Sequence, residues 1–221
     1  MTAMKKLVFL LIVLLPMSAG AQAPAVNSDD SYDFILAKLA AEDGRYDEAL
    51  AKVDKLVNKN PDNVVLQYER AMILVDASRI DDAEVALRKV VAAKADFYDA
   101  QRMLGRIIID RAGSDRAKID DALTHLQAAF KIYPDDLATG MAVAQILVNT
   151  QRWAESEKVL ATMLERAPDQ RAINYMYGQV LTKLGRADLH GLVHRDRAAL
   201  GKIVRERFVG IRRGDEHQLS L

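Results

Sequence analysis

Two arginines spaced four residues apart are the most suggestive binding groups in this sequence. Arg102 and Arg106 fall in a predicted helix, and side chains four residues apart on a helix lie side by side. Guanidinium groups bind planar carboxylates through paired hydrogen bonds, so this pair suits a carboxylate, an acidic peptide or an anionic sugar. Asp99 precedes the pair and Asp110 follows one turn later. Internal ion pairs with these two carboxylates would make the arginines structural instead, and the sequence leaves both readings open.

Sequence motifs for catalysis or metal binding are missing. Glycine-rich phosphate loops, the G-x-S-x-G elbow and the H-E-x-x-H zinc helix do not occur. His190 and His194 have the spacing of metal ligands, but a zinc site normally needs three or four protein ligands, and Asp188 and Asp196 do not complete one. We therefore predict a protein that is not an enzyme and that needs no metal and no cofactor.

The composition excludes further classes of protein. The chain has 31 basic and 31 acidic residues and a formal net charge of zero, which disfavours a nucleic-acid partner because phosphate capture needs surplus Lys and Arg. The absence of cysteine rules out disulfide scaffolds and cysteine nucleophiles. Half of the residues are hydrophobic and only 6% are aromatic, a balance that favours a folded protein of stacked helices.

The first 21 residues are typical of a secretory signal peptide. Lys5 and Lys6 precede an apolar run over residues 7–15, which is too short to span a bilayer because a spanning helix needs about 20 apolar residues. Ala19 and Ala21 form a cleavage site before Gln22, whereas cleavage after Ala23 would leave a proline next to the cut. We predict a periplasmic or secreted protein that has no transmembrane span once mature.

A period of 34 residues organises most of the remaining chain. Four similar six-residue blocks carry a large apolar residue at their third position, and these residues are separated by 34, 39 and 34 positions: Tyr46, Ile80, Ile119 and Trp153. The longer interval indicates a five-residue insertion between Arg111 and Lys118, which should lengthen a helix or the loop before it. A fixed period of this length indicates a repeat architecture.

Residues at the unit boundaries predict where helices begin and end. Pro61, Pro134 and Pro168 each precede an Asp, so the proline should end one helix and the Asp cap the next. The acidic pairs 47–48, 81–82 and 120–121 should begin the second helices, where the positive end of the helix dipole favours carboxylates.

This pattern resembles the tetratricopeptide repeat family, whose unit is a helix–turn–helix of 34 residues. The resemblance implies an all-α solenoid of about five units, at residues 30–63, 64–97, 98–136, 137–170 and 171–186 onward. Small residues should mark the contacts between helices, at Ala37, Ala71, Gly105, Ala144 and Gly178 on the first helices and at Ala49, Ala83, Ala122 and Ser156 on the second. A lead-in at residues 22–30 precedes the units.

A capping helix and a basic tail should close the solenoid at residues 187–221. The apolar pattern continues to Gly210, as expected of an element that covers the last apolar face. Residues 202–213 carry five basic side chains against Glu206. These cations could make weak contact with an anionic surface, although a solvated polar face of the cap is the favoured interpretation.

The resemblance also implies a concave groove lined by the first helices, where such proteins bind a peptide or protein partner. Its register assigns ten residues to this groove, which we call the groove residues: Phe34, Lys38, Tyr68, Met72, Arg102, Arg106, Met141, Gln145, Tyr175 and Gln179. Aromatic, Met and Arg side chains are enriched in protein interfaces, although Met72 and Met141 could equally pack between neighbouring helices. Members of the family that clamp the acidic tails of chaperones carry Lys and Asn at two positions of their first unit. This chain has Phe34 and Lys38 at those positions, which argues against such a role.

We therefore predict a non-enzymatic protein–protein interaction scaffold of the bacterial cell envelope. The pathways considered are envelope assembly, secretion, polysaccharide export and protein maturation. One alternative is a helical adaptor subunit of an envelope enzyme or maturation complex, in which a partner chain supplies the chemistry. Another is a glycan or small-ligand binder that uses Tyr68, Tyr175 and the central arginines.

Overall fold

The computed structural model describes residues 28–186, and the regular secondary structure within that range is entirely α-helical. Each helix packs against the next one along the chain. The helices are α1 (Ser28–Glu42), α2 (Tyr46–Lys59), α3 (Val64–Asp76), α4 (Ile80–Ala93), α5 (Tyr98–Asp110), α6 (Arg116–Ile132), α7 (Leu137–Asn149), α8 (Trp153–Arg166) and α9 (Arg171–Lys183). This sequential packing of helix pairs is the predicted all-α solenoid.

The first helices of the later units begin at the predicted unit starts, residues 64, 98, 137 and 171. In contrast, α1 begins at Ser28 and so includes the last three residues of the predicted lead-in over 22–30. The signal peptide, residues 22–27, the proposed capping helix and the pair His190 and His194 lie outside the described residues.

Tight turns join the two helices of a unit. Each turn contains one residue in the left-handed region, with φ of +75° at Gly44, +58° at Ser78 and +60° at Gln151. The large apolar residue two positions later is the first residue of the second helix, at Tyr46, Ile80 and Trp153. The repeated blocks found in the sequence therefore mark a turn and the start of a helix.

Small side chains lie at the helix contacts, as the repeat pattern predicted. All nine of the residues expected there are buried, and Ser156 donates a hydrogen bond to the carbonyl oxygen of Ala144 at 3.3 Å. Leucines fill the space around these contacts, including Leu74, Leu104 and Leu126. Because the small residues allow the helices to approach closely, the core runs along the stack between the helix pairs.

The five-residue insertion divides between a helix and a loop. Helix α6 has 17 residues, whereas α2, α4 and α8 have 14 each. It begins at Arg116 and is capped by Asp115, whose side chain accepts from the amides of Ala117 and Lys118. Asp120 and Asp121 consequently lie in the second turn of α6, so the prediction that this acidic pair begins the helix was wrong.

The N-caps of α3 and α7 are one residue later than predicted. Asn63 accepts from the amides of Val65 and Leu66, and Asp136 accepts from those of Ala138 and Thr139. The proline and the Asp that follows it form the turn itself, so the following residue takes the non-helical conformation that a cap needs. At α9 the corresponding residue, Gln170, makes no side-chain cap hydrogen bond.

Two structural features are absent from residues 28–186. None of the nine helices is long and apolar enough to cross a bilayer. No group of three or more His, Cys, Asp or Glu side chains in this range could hold a metal ion.

Candidate functional site

The structure places the ten groove residues in pairs on the five first helices, α1, α3, α5, α7 and α9. All ten are at least partly exposed. Five of them are exposed rather than half-buried: Lys38, Arg106, Gln145, Tyr175 and Gln179. A residue that served only to fill the core would be buried, so this set leaves side chains available to a partner.

Contacts between neighbouring first helices join the groove residues of the first three units into one surface. The Lys38 ammonium on α1 forms a salt bridge of 2.8 Å with Glu69 on α3. Tyr68 on α3 packs on Phe97, with 5.0 Å between the ring centroids. Tyr68 also interacts electrostatically with Arg102 on α5. The surface therefore continues from α1 across α3 to the central helix α5.

Arg102 and Arg106 form no salt bridge with any residue in the range 28–186, which distinguishes them from most arginines of the described chain. Eight other arginines have a carboxylate partner within 4 Å: Arg45, Arg70, Arg79, Arg88, Arg111, Arg152, Arg166 and Arg186. Asp99 and Asp110, the two acids that could have neutralised the pair, are both exposed and form no ion pair with it. The pair is therefore available to an anion from outside the described residues.

Arg102 is held by an aromatic ring. Its guanidinium carbon lies 5.8 Å from the centroid of the Tyr98 ring, one helical turn earlier on α5. The Nε atom of Arg102 is buried and has no hydrogen-bond partner in the described chain. Cation–π contact orients a guanidinium without occupying its hydrogen-bond donors, so Arg102 keeps its donors free.

Burial and local charge set the pKa values of the two tyrosines near Arg102. Burial raises the pKa of Tyr68 to about 12, with smaller increases from Asp99 and Glu69. Burial also raises the pKa of Tyr98 to about 12, supported by its hydrogen bond to Asp136. The charge of Arg102 acts in the opposite direction on both hydroxyls without outweighing burial. Both phenols are therefore neutral at physiological pH.

Sequence reasoning missed an aromatic group at the boundary between the third and fourth units. Tyr98 meets Tyr133 edge to face, with centroids 5.6 Å apart. The Tyr98 hydroxyl donates to Asp136 at 2.5 Å, across to the N-cap of α7. The sequence signal was weak: Tyr98 and Asp136 are the first and last residues of the third unit, and the repeat pattern assigns neither of them to the groove.

The groove residues of the last two units differ in their surroundings. Met141 is half-buried and packs against the core formed by α7, α8 and α9, which favours a packing role for this residue. The Gln145 amide donates to Asn149 at 2.8 Å on the same helix, and Tyr175 is 59% exposed. The strongest candidates for binding therefore lie on α3 and α5 and at Tyr175.

Two cavities of the described chain lie outside the groove residues. One of about 660 Å³ lies between α2, α3 and α4, with Val57, Arg70 and Val85 among its lining residues. The other, of about 410 Å³, lies between the turn that contains the insertion and the turn before α8. None of the ten groove residues lines either of these two cavities.

Several solved structures have a similar fold at low sequence identity. A MamA crystal structure superposes with a TM-score of 0.59 at 14% identity, covering 78% of this chain and 92% of that one. MamA of Desulfovibrio magneticus RS-1 gives 0.57 at 12% identity, with 80% and 98% covered. A chain of the Naa15/Naa10 complex bound to HypK-THB gives 0.59 at 16% identity, with 75% and 24% covered. At these identities the likeness concerns the fold.

Curated relatives include DnaJ homolog subfamily C member 3. The Mus musculus protein is 26% identical over 162 residues, which are 73% of this chain and 29% of the relative. The Homo sapiens protein is 26% identical over 139 residues, or 63% and 26% of the two chains. The chain thus spans less than a third of the length of these relatives.

The tetratricopeptide repeat family matches residues 40–107 and 115–180, which together make up more than half of the chain. The break between the two matches falls where the sequence carries its five-residue insertion. Together with the stacked helix pairs and the buried small residues at their contacts, this match shows that the chain belongs to the tetratricopeptide repeat family.

Proposed function

We propose that this protein is a non-enzymatic interaction scaffold of the bacterial cell envelope, which binds an acidic segment of a protein partner in the groove of its solenoid. Family membership supports a protein-binding role, because stacked repeats create extended binding surfaces. One structural neighbour comes from an assembly of several proteins, Naa15/Naa10 bound to HypK-THB.

The observation that carries this proposal is the unpaired state of Arg102 and Arg106. Two like charges four residues apart on a helix repel each other and so destabilise the helix slightly. Paired with a partner's carboxylates, they would form charge-assisted hydrogen bonds, which are roughly twice as strong as neutral ones. Tyr68 packs on Phe97 and interacts electrostatically with Arg102, and aromatic and Arg side chains are enriched in interfaces.

The proposed location rests on the basic, apolar and small-residue pattern of residues 1–21. Mass spectrometry of the protein expressed in a bacterial host should find a mature chain that begins at Gln22 in the periplasmic fraction. A full-length chain in the cytoplasm would contradict the envelope role while leaving the groove proposal intact.

The groove is tested by replacing both arginines with alanine in one protein. We expect the Arg102→Ala/Arg106→Ala variant to recover much less of the partner from an envelope extract, with a melting temperature close to that of the wild type. A matched control removes the same charge elsewhere: Arg116 and Arg171 are exposed, lie outside the groove residues and form no salt bridge with a described residue. The Arg116→Ala/Arg171→Ala variant should recover the partner normally.

The outcomes separate clearly. Equal recovery by both double variants and the wild type would remove the arginines from the binding site. Equal losses in both double variants would show that net charge, rather than the groove, controls the association.

A further inference from the structure

Tyr98 connects two neighbouring first helices at the candidate groove. It is the first residue of α5, and its hydroxyl donates to the Asp136 carboxylate at 2.5 Å. Asp136 is itself fixed, because its other carboxylate oxygen caps α7 by accepting from the amides of Ala138 and Thr139 at 3.1 and 3.2 Å. The orientation of the Tyr98 ring is thus tied to the start of α7.

The Asp136 carboxylate is held in its ionised form. Burial opposes ionisation, but hydrogen bonds from the Thr139 hydroxyl and from Tyr98, with the two amides of the cap, outweigh it and lower the pKa of Asp136. An ionised acceptor strengthens the hydrogen bond from Tyr98. The anchor therefore persists throughout the physiological pH range.

Tyr98 makes two contacts through different parts of its side chain. Its hydroxyl donates to Asp136, and its ring contacts the Arg102 guanidinium, whose carbon lies 5.8 Å from the ring centroid. No residue in the described range accepts a hydrogen bond from Arg102, and its Nε is buried. The cation–π contact uses none of the hydrogen-bond donors of the guanidinium, so the terminal nitrogens keep their donors for a ligand. A planar carboxylate matches a guanidinium through two parallel hydrogen bonds.

We propose that Tyr98, anchored by Asp136, is the positioning residue that holds Arg102 ready for a carboxylate of the bound partner. This inference rests on the proposed function of the groove and adds to it the residue that holds Arg102 in place for the ligand. Without the ring, the long Arg102 side chain would sample many rotamers, and ordering it on binding would weaken the affinity.

The test uses fluorescein-labelled hexaglutamate as the probe and fluorescence anisotropy at low salt as the readout. We expect the wild type to bind, Arg102→Ala to weaken binding by about tenfold or more, and Tyr98→Leu to weaken it severalfold. Tyr98→Phe retains the ring and loses only the anchor, so a loss of about threefold is expected. Tyr133→Phe is the matched control, because the Tyr133 hydroxyl has no hydrogen bond within residues 28–186, and it should bind as the wild type does.

A double-mutant cycle separates positioning from general stability. If Tyr98 acts through Arg102, adding Tyr98→Leu to Arg102→Ala should cause no further loss. If Tyr98→Leu weakens binding as much in Arg102→Ala as it does in the wild type, the positioning role is overturned. The positioning role is also overturned if both Tyr98→Phe and Tyr98→Leu bind like the wild type while Arg102→Ala does not bind. That result would leave the groove proposal intact.

Two further results would overturn the assignment of the ligand. Hexaglutamate that does not bind the wild type would refute the carboxylate class. Inorganic phosphate and free glutamate are then compared as competitors of the labelled peptide. Displacement at equal concentrations of the two would reveal a general anion site without preference for carboxylates. Unchanged binding in Arg102→Ala, in contrast, would refute the proposed function itself.

Discussion

The backbone of Gly105 on α5 lies so close to Leu126 on α6 that a Cβ on the glycine would stand 2.6 Å from the Leu126 Cγ. It would also lie 3.1 Å from the Ala122 carbonyl oxygen. Leu126 is itself fully buried, so it has little space into which to move. The two helices of the third unit meet at a distance that only glycine permits.

Gly105→Ala should therefore destabilise the protein. Helix propensity alone would favour alanine by about 1 kcal/mol, but overpacking a tight core typically costs about 1–3 kcal/mol, and here the clash is severe. We expect a lower melting temperature by circular dichroism. Leu126→Ala should remove the clash, so the double variant should be less destabilised than the sum of the two single variants. Strictly additive effects would argue against this contact.

A second prediction compares two alanines on α4. Ala83 is completely buried at the helix contact, whereas Ala93 is exposed at the end of the helix. Ala83→Glu forces a carboxylate into an apolar contact, at a cost of several kcal/mol, and should lower the melting temperature far more than Ala93→Glu. Equal shifts in the two variants would contradict the repeat register.

A third prediction concerns the turns between paired helices. Ser78 has a φ of +58° in the turn position that Gly44 occupies one unit earlier. A left-handed conformation costs a residue with a Cβ about 1–2 kcal/mol, part of which glycine's larger chain entropy offsets. Ser78→Gly should thus stabilise the protein by up to about 1 kcal/mol, measured by urea denaturation. The reciprocal change Gly44→Ser should destabilise it, since a Cβ there meets no neighbouring atom and the backbone penalty stands alone.

The features that the sequence predicted are those that recur with the period. Small residues such as Ala83 and Ala122 reveal the helix contacts because each unit needs one at the same position. The division of the insertion could not be predicted, since only the cap made by Asp115 decides that α6 starts at Arg116.

The bond between Tyr98 and Asp136 could not be predicted from the sequence, because it does not recur with the period. It joins residues 38 positions apart, at the two ends of the third unit. The corresponding ends of the second unit hold Val64 and Phe97, which cannot form such a bond. A repeat pattern describes what the units share, so an interaction made by one unit alone lies outside it. The positioning role proposed for Tyr98 uses this single bond, and it could therefore be inferred only from the structure.

The two tyrosines near Arg102 provide a fourth prediction. Burial raises the pKa of both Tyr68 and Tyr98 to about 12, so their stabilising contribution is complete below the unfolded value of about 10 and is lost as the pH rises through 12. Absorbance at 295 nm should show a late-titrating fraction of the tyrosines. Tyr98→Phe should reduce that fraction.

A fifth prediction concerns mild acid. His125 on α6 is half-buried, with Nδ1 2.7 Å from the Gln101 side-chain oxygen and Nε2 3.5 Å from Asp121. The Gln101 amide nitrogen already donates to the Ala95 carbonyl at 2.7 Å, so its oxygen faces the ring and Nδ1 must carry the hydrogen. The ring therefore has its proton on Nδ1 when it is neutral.

Burial lowers the pKa of His125, Asp121 partly opposes this, and Arg88 adds to it. Because the folded state disfavours the charged ring, the contribution of His125 to stability is complete above the unfolded pKa of about 6.5 and is lost as the pH falls through the lower folded value. We expect the melting temperature to fall between pH 7 and pH 5, and to fall less in His125→Gln, which cannot be protonated. Carboxylates whose pKa is lowered, such as Glu155, lose their contribution only below this window. Identical slopes for the two proteins would show that the ring is solvated enough to accept its proton without strain.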